Sequence, residues 1–364
     1  AVTIANSKSH AKEIYERYVC GEPEPIDSKL AVEPVLRMYV LSLIATSFVG
    51  SRKSAYGFFS KTFWAHQYGD TKQMEKIIDK MLHLLEEWEF ITTSSHSEFA
   101  SAADIKEDKV SATRVGARVA ELYIDPLSAY QMITALRRAS KSIAADSVED
   151  YSFPLLHTIC SCLERRPQMR VRTKELEDIQ DFLLQHHESL LLPEPSMFEP
   201  EYDDFLAAVK TAMLFNDWIE EKDEEYLLEK YGARPGEFYA KKENADWLIY
   251  SAAELAKLLG FHQLLKEINK LRVRVANGVK EELLPLLQLK GIGRVRARKM
   301  LSNKIRNLGD VKAADISTLT QILGSGKLAI DVKQQLGEKV GEQVIVKEGK
   351  RKGQINLKDF GSDK

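Results

Sequence analysis

Cysteine is scarce in this chain of 364 residues: Cys20, Cys160 and Cys162 are the only three. Three thiols cannot build a disulfide framework, and one Cys-x-Cys without a second pair is a poor zinc signal. Small buried hydrophobes in a reducing, cytoplasmic compartment are expected. No apolar run approaches the length of about 18 residues that spans a bilayer, so no membrane partner is expected. The chain starts with Ala and nothing near it resembles a signal peptide, which suggests a fragment or a processed product. The 8 histidines never fall at ligand spacing with Cys or Glu, so no metal site is expected. A P-loop is missing too. The stretch Gly324-Ser-Gly326-Lys327 comes near one, but Gln321 stands where the first Gly is required and Leu328 where Ser or Thr is required. Without that loop or a strand-borne Asp-Glu pair for magnesium, the chain alone should neither hydrolyse ATP nor hold a cofactor.

Net charge is also nearly absent, at −2, so bulk charge does not mark a nucleic-acid binder. Its distribution is uneven. Residues 194–229 hold twelve acidic side chains against Lys210 and Lys222, whereas residues 266–312 hold thirteen basic against four acidic ones. Either a local anion-binding surface or a pair of solvated faces would produce this. With 44% hydrophobic and 29% charged residues, the composition is that of globular protein, about two to three domains long.

Apolar spacing predicts a mainly α protein. A β-like scrap at 1–5 precedes a helical stretch at 10–18, and Gly21-Glu-Pro-Glu-Pro breaks the chain. Helices follow from Val35, around 55–66 and at 71–88. In the last of these, Met74, Ile77, Ile78, Met81 and Leu85 keep i, i+3, i+4, i+7 spacing. A β-prone segment at 89–93, a polar tip at 94–109 and a return strand at 110–113 complete a winged helix over 31–125. A helical bundle over 126–278 follows, with helices near 127–142, 155–165, 176–192, 202–222, 223–231, 238–259 and 262–276. Residues 279–340 form a smaller unit, and 341–364 a flexible basic tail.

The sharpest motif is Gly291-Ile-Gly293-Arg294-Val-Arg296-Ala-Arg298-Lys299. A Gly-hydrophobic-Gly turn between short helices is the hairpin of a helix-hairpin-helix, whose backbone N–H groups and following helix N-terminus face one phosphate. Arg294 and Arg298 share a face with Lys299 beside them, and Arg296 points elsewhere. The segment around Gly324 and Gly326 is a second, degenerate hairpin. On the helix at 238–259 a core stripe of Leu248, Ala252, Leu255 and Leu259 leaves Trp247 about 100° away, with Ser251 and Glu254. That ring either stacks on an unpaired base or plugs a helix junction. Arg272 and Arg274 add charge before the hairpin. Arg165, Arg166, Arg170 and Arg172 cluster around Pro167, and either group could be a solvated face. In the tail, Gln354, Leu357 and Phe360 have the spacing of a peptide that docks on sliding clamps, although Gly361 replaces the usual second aromatic.

These residues resemble the C-terminal half of the archaeal Hjm helicases (helicase 308), Ski-like DNA helicases of superfamily two. The resemblance covers almost all of the chain: Arg17-Tyr18 with Gly21-Glu-Pro-Glu24, Val115-Gly-Ala-Arg118 leading to Leu122-Tyr-Ile-Asp-Pro-Leu127, Val209-Lys-Thr-Ala212, Asp217-Trp218, Ala245-Asp-Trp247, Gly278-Val-Lys-Glu-Glu-Leu-Leu284 and the hairpin at 291–298. It implies an ATP-dependent 3′-to-5′ helicase acting on single-stranded and forked DNA in repair or recombination. The two RecA-like motor domains, with their ATP and magnesium, would be missing, and 1–30 would be a remnant of the second plus a linker. It also implies that Trp247 is the aromatic of a ratchet helix, and that Arg294, Arg296 and Arg298 meet emerging single strand. The family's second base contact falls on Ala240, with Lys241 beside it, which puts that contact in doubt. A sliding clamp is a further implied partner, and the nucleoid the implied location. A stand-alone winged-helix regulator is the alternative. A helix-hairpin-helix glycosylase or nuclease is disfavoured, because no catalytic Asp or Lys follows the hairpin.

Overall fold

The computed structural model describes residues 2–94, 108–144 and 150–338. The chain divides into two compact units, Ala1–Pro126 and Leu127–Lys364, and it is mainly α.

In the first unit, α1 (Lys8–Ile14) runs into a wider turn at Tyr15–Val19. The expected β scrap before it is not a strand: Val2 and Ile4 are exposed and pair with nothing among the described residues. The winged-helix core consists of α2 (Glu33–Ala45), α3 (Arg52–Phe59), α4 (Phe63–Tyr68) and α5 (Thr71–Glu87). A single helix across 55–66 gives way to α3 and α4 because the Thr62 hydroxyl accepts the Ala65 N–H and starts a new helix. The hairpin pairs β1 (Ile91–Thr93) with β2 (Val110–Ala112), with Thr92 opposite Ser111. A bridge from Ser51 to Lys109 adds a third edge. Thr113 then caps α6 (Arg114–Leu122), a helix the sequence pattern had not separated from the motif it carries. Leu36, Phe59, Trp64, Ile78, Leu85 and Phe90 fill the core, each worth about 1.5–3 kcal/mol of apolar burial.

The second unit begins with α7 (Pro126–Ala144) and α8 (Ser152–Cys160), then α9 (Leu176–His186), α10 (Glu201–Ile219) and α11 (Glu224–Tyr231). The long α12 (Pro235–Leu258) packs along α13 (His262–Asn277). Every residue of α8 is buried, as is the stretch Phe205–Phe215 of α10, so these two helices are the centre of the bundle. The helix expected over 176–192 stops at His186, where the chain tightens into a 3₁₀ turn.

His157, in the middle of α8, is 0% exposed, and neither ring nitrogen has a hydrogen-bond partner among the described residues. Burial among apolar rings pushes its pKa down to about 4 from 6.5. Between those values the unfolded chain binds a proton that the folded one refuses, so stability rises with pH. Going from pH 7 to 4.5 should therefore cost wild type about 2 kcal/mol more than His157→Phe, read by urea unfolding. Equal losses would mean that the ring protonates in place.

The chain closes with a 3₁₀ turn at Glu281–Leu283 running into α14 (Leu284–Leu287), then α15 (Arg294–Ser302), α16 (Leu308–Ala313), α17 (Ile316–Leu323) and α18 (Gly326–Gln335). Val279, Leu286, Ile292, Met300, Leu319 and Val332 are among the residues of their shared core.

Candidate nucleic-acid interface

Two glycine turns face the same small core. In the first, Gly291 has φ +83°, a left-handed turn that favours glycine, and a Cβ there would press on the tip of the Leu328 side chain of α18 at 2.8 Å. Lys290 is clamped across the turn: its N–H donates to Gln335 Oε1 (2.7 Å) and its carbonyl accepts from Gln335 Nε2 (3.2 Å). Gly293 is the N-cap of α15 and offers no side chain to the first-turn N–H groups. At the second turn, Ser325 caps α18 by accepting the Leu328 N–H. The first helix start is therefore open to an external acceptor, whereas the second is satisfied from within.

The basic helix α15 has two unlike sides. Arg296 and Lys299 are exposed, and Arg296 folds back to the Gly291 carbonyl at 2.8 Å. Arg294 and Arg298, expected at an open surface, turn toward the bundle. Arg294 bonds the carbonyls of Glu221 and Lys222 and lies 5.0 Å over the Trp218 ring. Arg298 grips the Glu221 carboxylate and reaches Glu282 at 2.7 Å. Arg274, read from the sequence as a surface cation, is 6% exposed and donates to Ser152 Oγ (2.6 Å), Glu220 (3.0 Å) and the Val279 carbonyl (3.3 Å), so it braces the bundle. Two of the twelve acids, Glu220 and Glu221, are thus paired internally with Arg274, Lys280 and Arg298 of the basic stretch.

Burial alone would raise the Glu221 pKa, but hydrogen bonds from Arg298 and the Lys280 N–H outweigh it and hold the carboxyl below its usual range. Its stabilising contribution is complete above about pH 4.5 and disappears as pH falls through the lowered value. Glu221→Gln should lose about 1–3 kcal/mol at pH 7, the worth of hydrogen bonds to charged groups. The gap from wild type should shrink toward pH 3.5 in urea titrations. A gap independent of pH would show that the carboxylate charge is not what Arg298 holds.

Trp247 lies on α12 and is half-buried. Ser251, expected on the same polar face, is 0% exposed and donates to the Trp247 carbonyl at 3.0 Å, so that face is drier than the sequence pattern suggests. Beside the ring, Arg272 makes a two-pronged bond to Asp246 (2.8 Å each) and lies 5.0 Å over Tyr250. Tyr250, three residues beyond Trp247 on the same helix, is a second aromatic, 37% exposed. Lys241 donates to the Pro167 carbonyl at 3.3 Å, and burial, reinforced by Arg165, lowers its pKa. The tail residues Gln354, Leu357 and Phe360, and most of the polar wing tip, lie outside the described residues. Among the described residues no cluster of three or more His, Cys, Asp or Glu could hold a metal ion, and no helix is long and apolar enough to cross a membrane.

A helical bundle closed by paired glycine hairpins, with an aromatic on its long helix and a basic helix at its end, defines a nucleic-acid-handling class, and sequence comparison agrees. Residues 153–278 match the family described as archaeal helicase, domain 4, and residues 283–345 match the SAM-like helix-hairpin-helix tandem. The chain is 36% identical, over 93% of its length, to the ATP-dependent DNA helicase Hel308 of Methanocella arvoryzae. It is 32% identical over 97% of its length to that of Pyrococcus horikoshii, and 33% identical over 99% to that of Thermococcus kodakarensis. It spans 44%, 46% and 30% of those proteins respectively, so the similarity is to a part of each. That part is the C-terminal, DNA-binding portion of the Hel308 helicases.

Proposed function

We propose that this chain is the DNA-handling portion of an ATP-dependent 3′-to-5′ DNA helicase, holding single-stranded or forked DNA during replication-fork repair or recombination. The motive power comes from RecA-like domains in the part of such a protein that this chain does not span, where ATP and magnesium bind. Trp247 stacks on a base of the tracked strand and resists back-slipping. The open start of α15, with Arg296 and Lys299, receives a backbone phosphate. Arg294 and Arg298 join it once they leave Glu221. The winged helix occupies 31–125, the ratchet bundle 126–278 and the hairpin module 279–340, and the tail offers Gln354, Leu357 and Phe360 to a sliding clamp. The protein works in the cytoplasm on nucleoid DNA.

One observation carries this reading: 36% identity to a DNA helicase extends over 93% of the chain, so that the bundle and the hairpin module are matched together. Fluorescence anisotropy with labelled single-stranded, forked and duplex DNA at two salt concentrations tests it. Single strands and forks of any sequence should bind more tightly than duplex, with affinity falling steeply as salt rises. Preference for one duplex sequence would instead identify a winged-helix regulator.

A further inference from the structure

A cleft of about 620 Å³ opens between the loop around Pro167 and the start of α12. Six cations line it: Arg165, Arg166, Arg170, Arg172, Lys210 and Lys241. Four carboxylates answer them. Glu164 and Glu237 lie in the wall, Asp204 pairs with Arg166 at 2.6 Å, and Glu175 pairs with Lys210 at 2.7 Å. The remainder is positive, with Arg165 deep and Arg170 and Arg172 at the mouth.

Arg165 is 5% exposed and has no carboxylate among the described residues. It donates to the Lys241 carbonyl (2.6 Å) and Asn244 Oδ1 (2.8 Å), and its plane lies 5.2 Å over Phe215. Its Nε and Nη2 have no oxygen or nitrogen partner among the described residues, and the guanidinium otherwise bears on the neutral Cys160 thiol. Lys210, 3% exposed, is fixed to the Arg170 carbonyl at 2.9 Å and so anchors the loop itself. A buried guanidinium without a counter-charge is costly unless something of opposite sign completes it. At the mouth, the exposed Arg170 and Arg172 are likewise without a carboxylate at ion-pair distance among the described residues, and Arg172 reaches over Gly232.

We infer that this cleft is a phosphate site taking one backbone phosphodiester of the strand that stacks on Trp247. Arg170 and Arg172 make the contacts, and the buried Arg165 supplies the standing positive field, while Lys210, neutralised by Glu175, holds the loop in place. Ala240, in the cleft wall, lies seven residues before Trp247 and on the same face of α12. Seven residues of helix rise about 10 Å, the reach of about three stacked nucleotides. The ring and the cleft therefore fit one continuous strand. This inference rests on the single-strand function proposed above.

The test uses the full chain and an oligothymidylate, with one linkage at a time replaced by a neutral methylphosphonate. Binding to single strands falls with salt at a logarithmic slope of about 0.7 per phosphate contact, so one contact is worth about fivefold at 0.1 M relative to 1 M salt. Wild type should lose about fivefold at one particular linkage. Arg170→Gln/Arg172→Gln should lose as much on the unmodified oligomer, show a shallower salt slope, and lose nothing further at that linkage. Both side chains are exposed, so the double variant should melt as wild type does. If it binds with wild-type affinity and slope, or if both proteins lose affinity at the same linkage, the cleft is not a phosphate site and the helicase reading stands. If wild type binds no single strand at all, both fall together. Inorganic phosphate at constant ionic strength is the second probe. It should displace DNA from wild type more readily than from the double variant, and equal displacement counts against the cleft.

Discussion

Trp247→Ala should weaken binding to single-stranded DNA by about 1–3 kcal/mol, that is about 5- to 150-fold in Kd, with little change in binding to duplex. The ring is half-buried on a helix whose closely packed core stripe lies to one side of it, about 100° away: Leu248 and Leu255 are 0% exposed. The loss should therefore fall on stacking, not on folding. An aromatic ring stacks with any base, so the effect should be the same on thymine and adenine tracts. Thermal unfolding separates the two roles left open by the sequence. A fall of several degrees in Tm together with unchanged affinity would make Trp247 a plug between helices. In a complete enzyme containing the motor, the same substitution should lower unwinding more than ATP hydrolysis.

Gly278→Ala should be the most destabilising small change in the second unit, by about 2–5 kcal/mol. Gly278 ends α13 with φ +65°, a left-handed conformation that costs an L-residue about 1–2 kcal/mol. A Cβ there would also lie 2.5 Å from the Trp218 indole. That indole cannot give way easily. Its Nε1–H is bonded to the Val275 carbonyl at 2.7 Å, and its ring lies under Arg294 at 5.0 Å and Lys242 at 5.7 Å. Overpacking adds about 1–3 kcal/mol. For a unit of this size each kcal/mol moves Tm by about 2–4 °C, so a fall of about 4–20 °C is expected in differential scanning calorimetry. A shift under about 2 °C would show that Trp218 repacks and that the bundle and hairpin module are loosely joined.

Periodicity made the helices legible, and glycine spacing made the first hairpin legible, because both are local codes. The amphipathic pattern over 71–88 became α5 almost residue for residue, and Gly291-Ile-Gly293 turned where expected. What sequence could not reveal was pairing over long separations. Arg274 reads as a surface cation beside Arg272, yet it finds Ser152, 122 residues away, and Glu220, 54 residues away. Arg294 and Arg298 read as a phosphate clamp until the turn at Glu221 comes into contact with them. The Arg cluster around Pro167 looked no different from a solvated face, because the burial of Arg165 depends on Phe215 and Asn244 from other helices. The helical angle placed Trp247 off the core stripe correctly. It could not tell that Ser251 beneath it would be dry.

The tie between Lys290 and Gln335 joins positions 45 residues apart, and it imposes an order in time on a growing chain. Synthesis proceeds from the N-terminus, so the first hairpin emerges well before the helix that braces it. Until α18 has formed, the Lys290 peptide lacks its amide partner, and Gly291 lacks the packing of Leu328 against it. The turn is complete only when α18 arrives, so a nascent or prematurely terminated chain would carry the glycine motif without the brace that sets it.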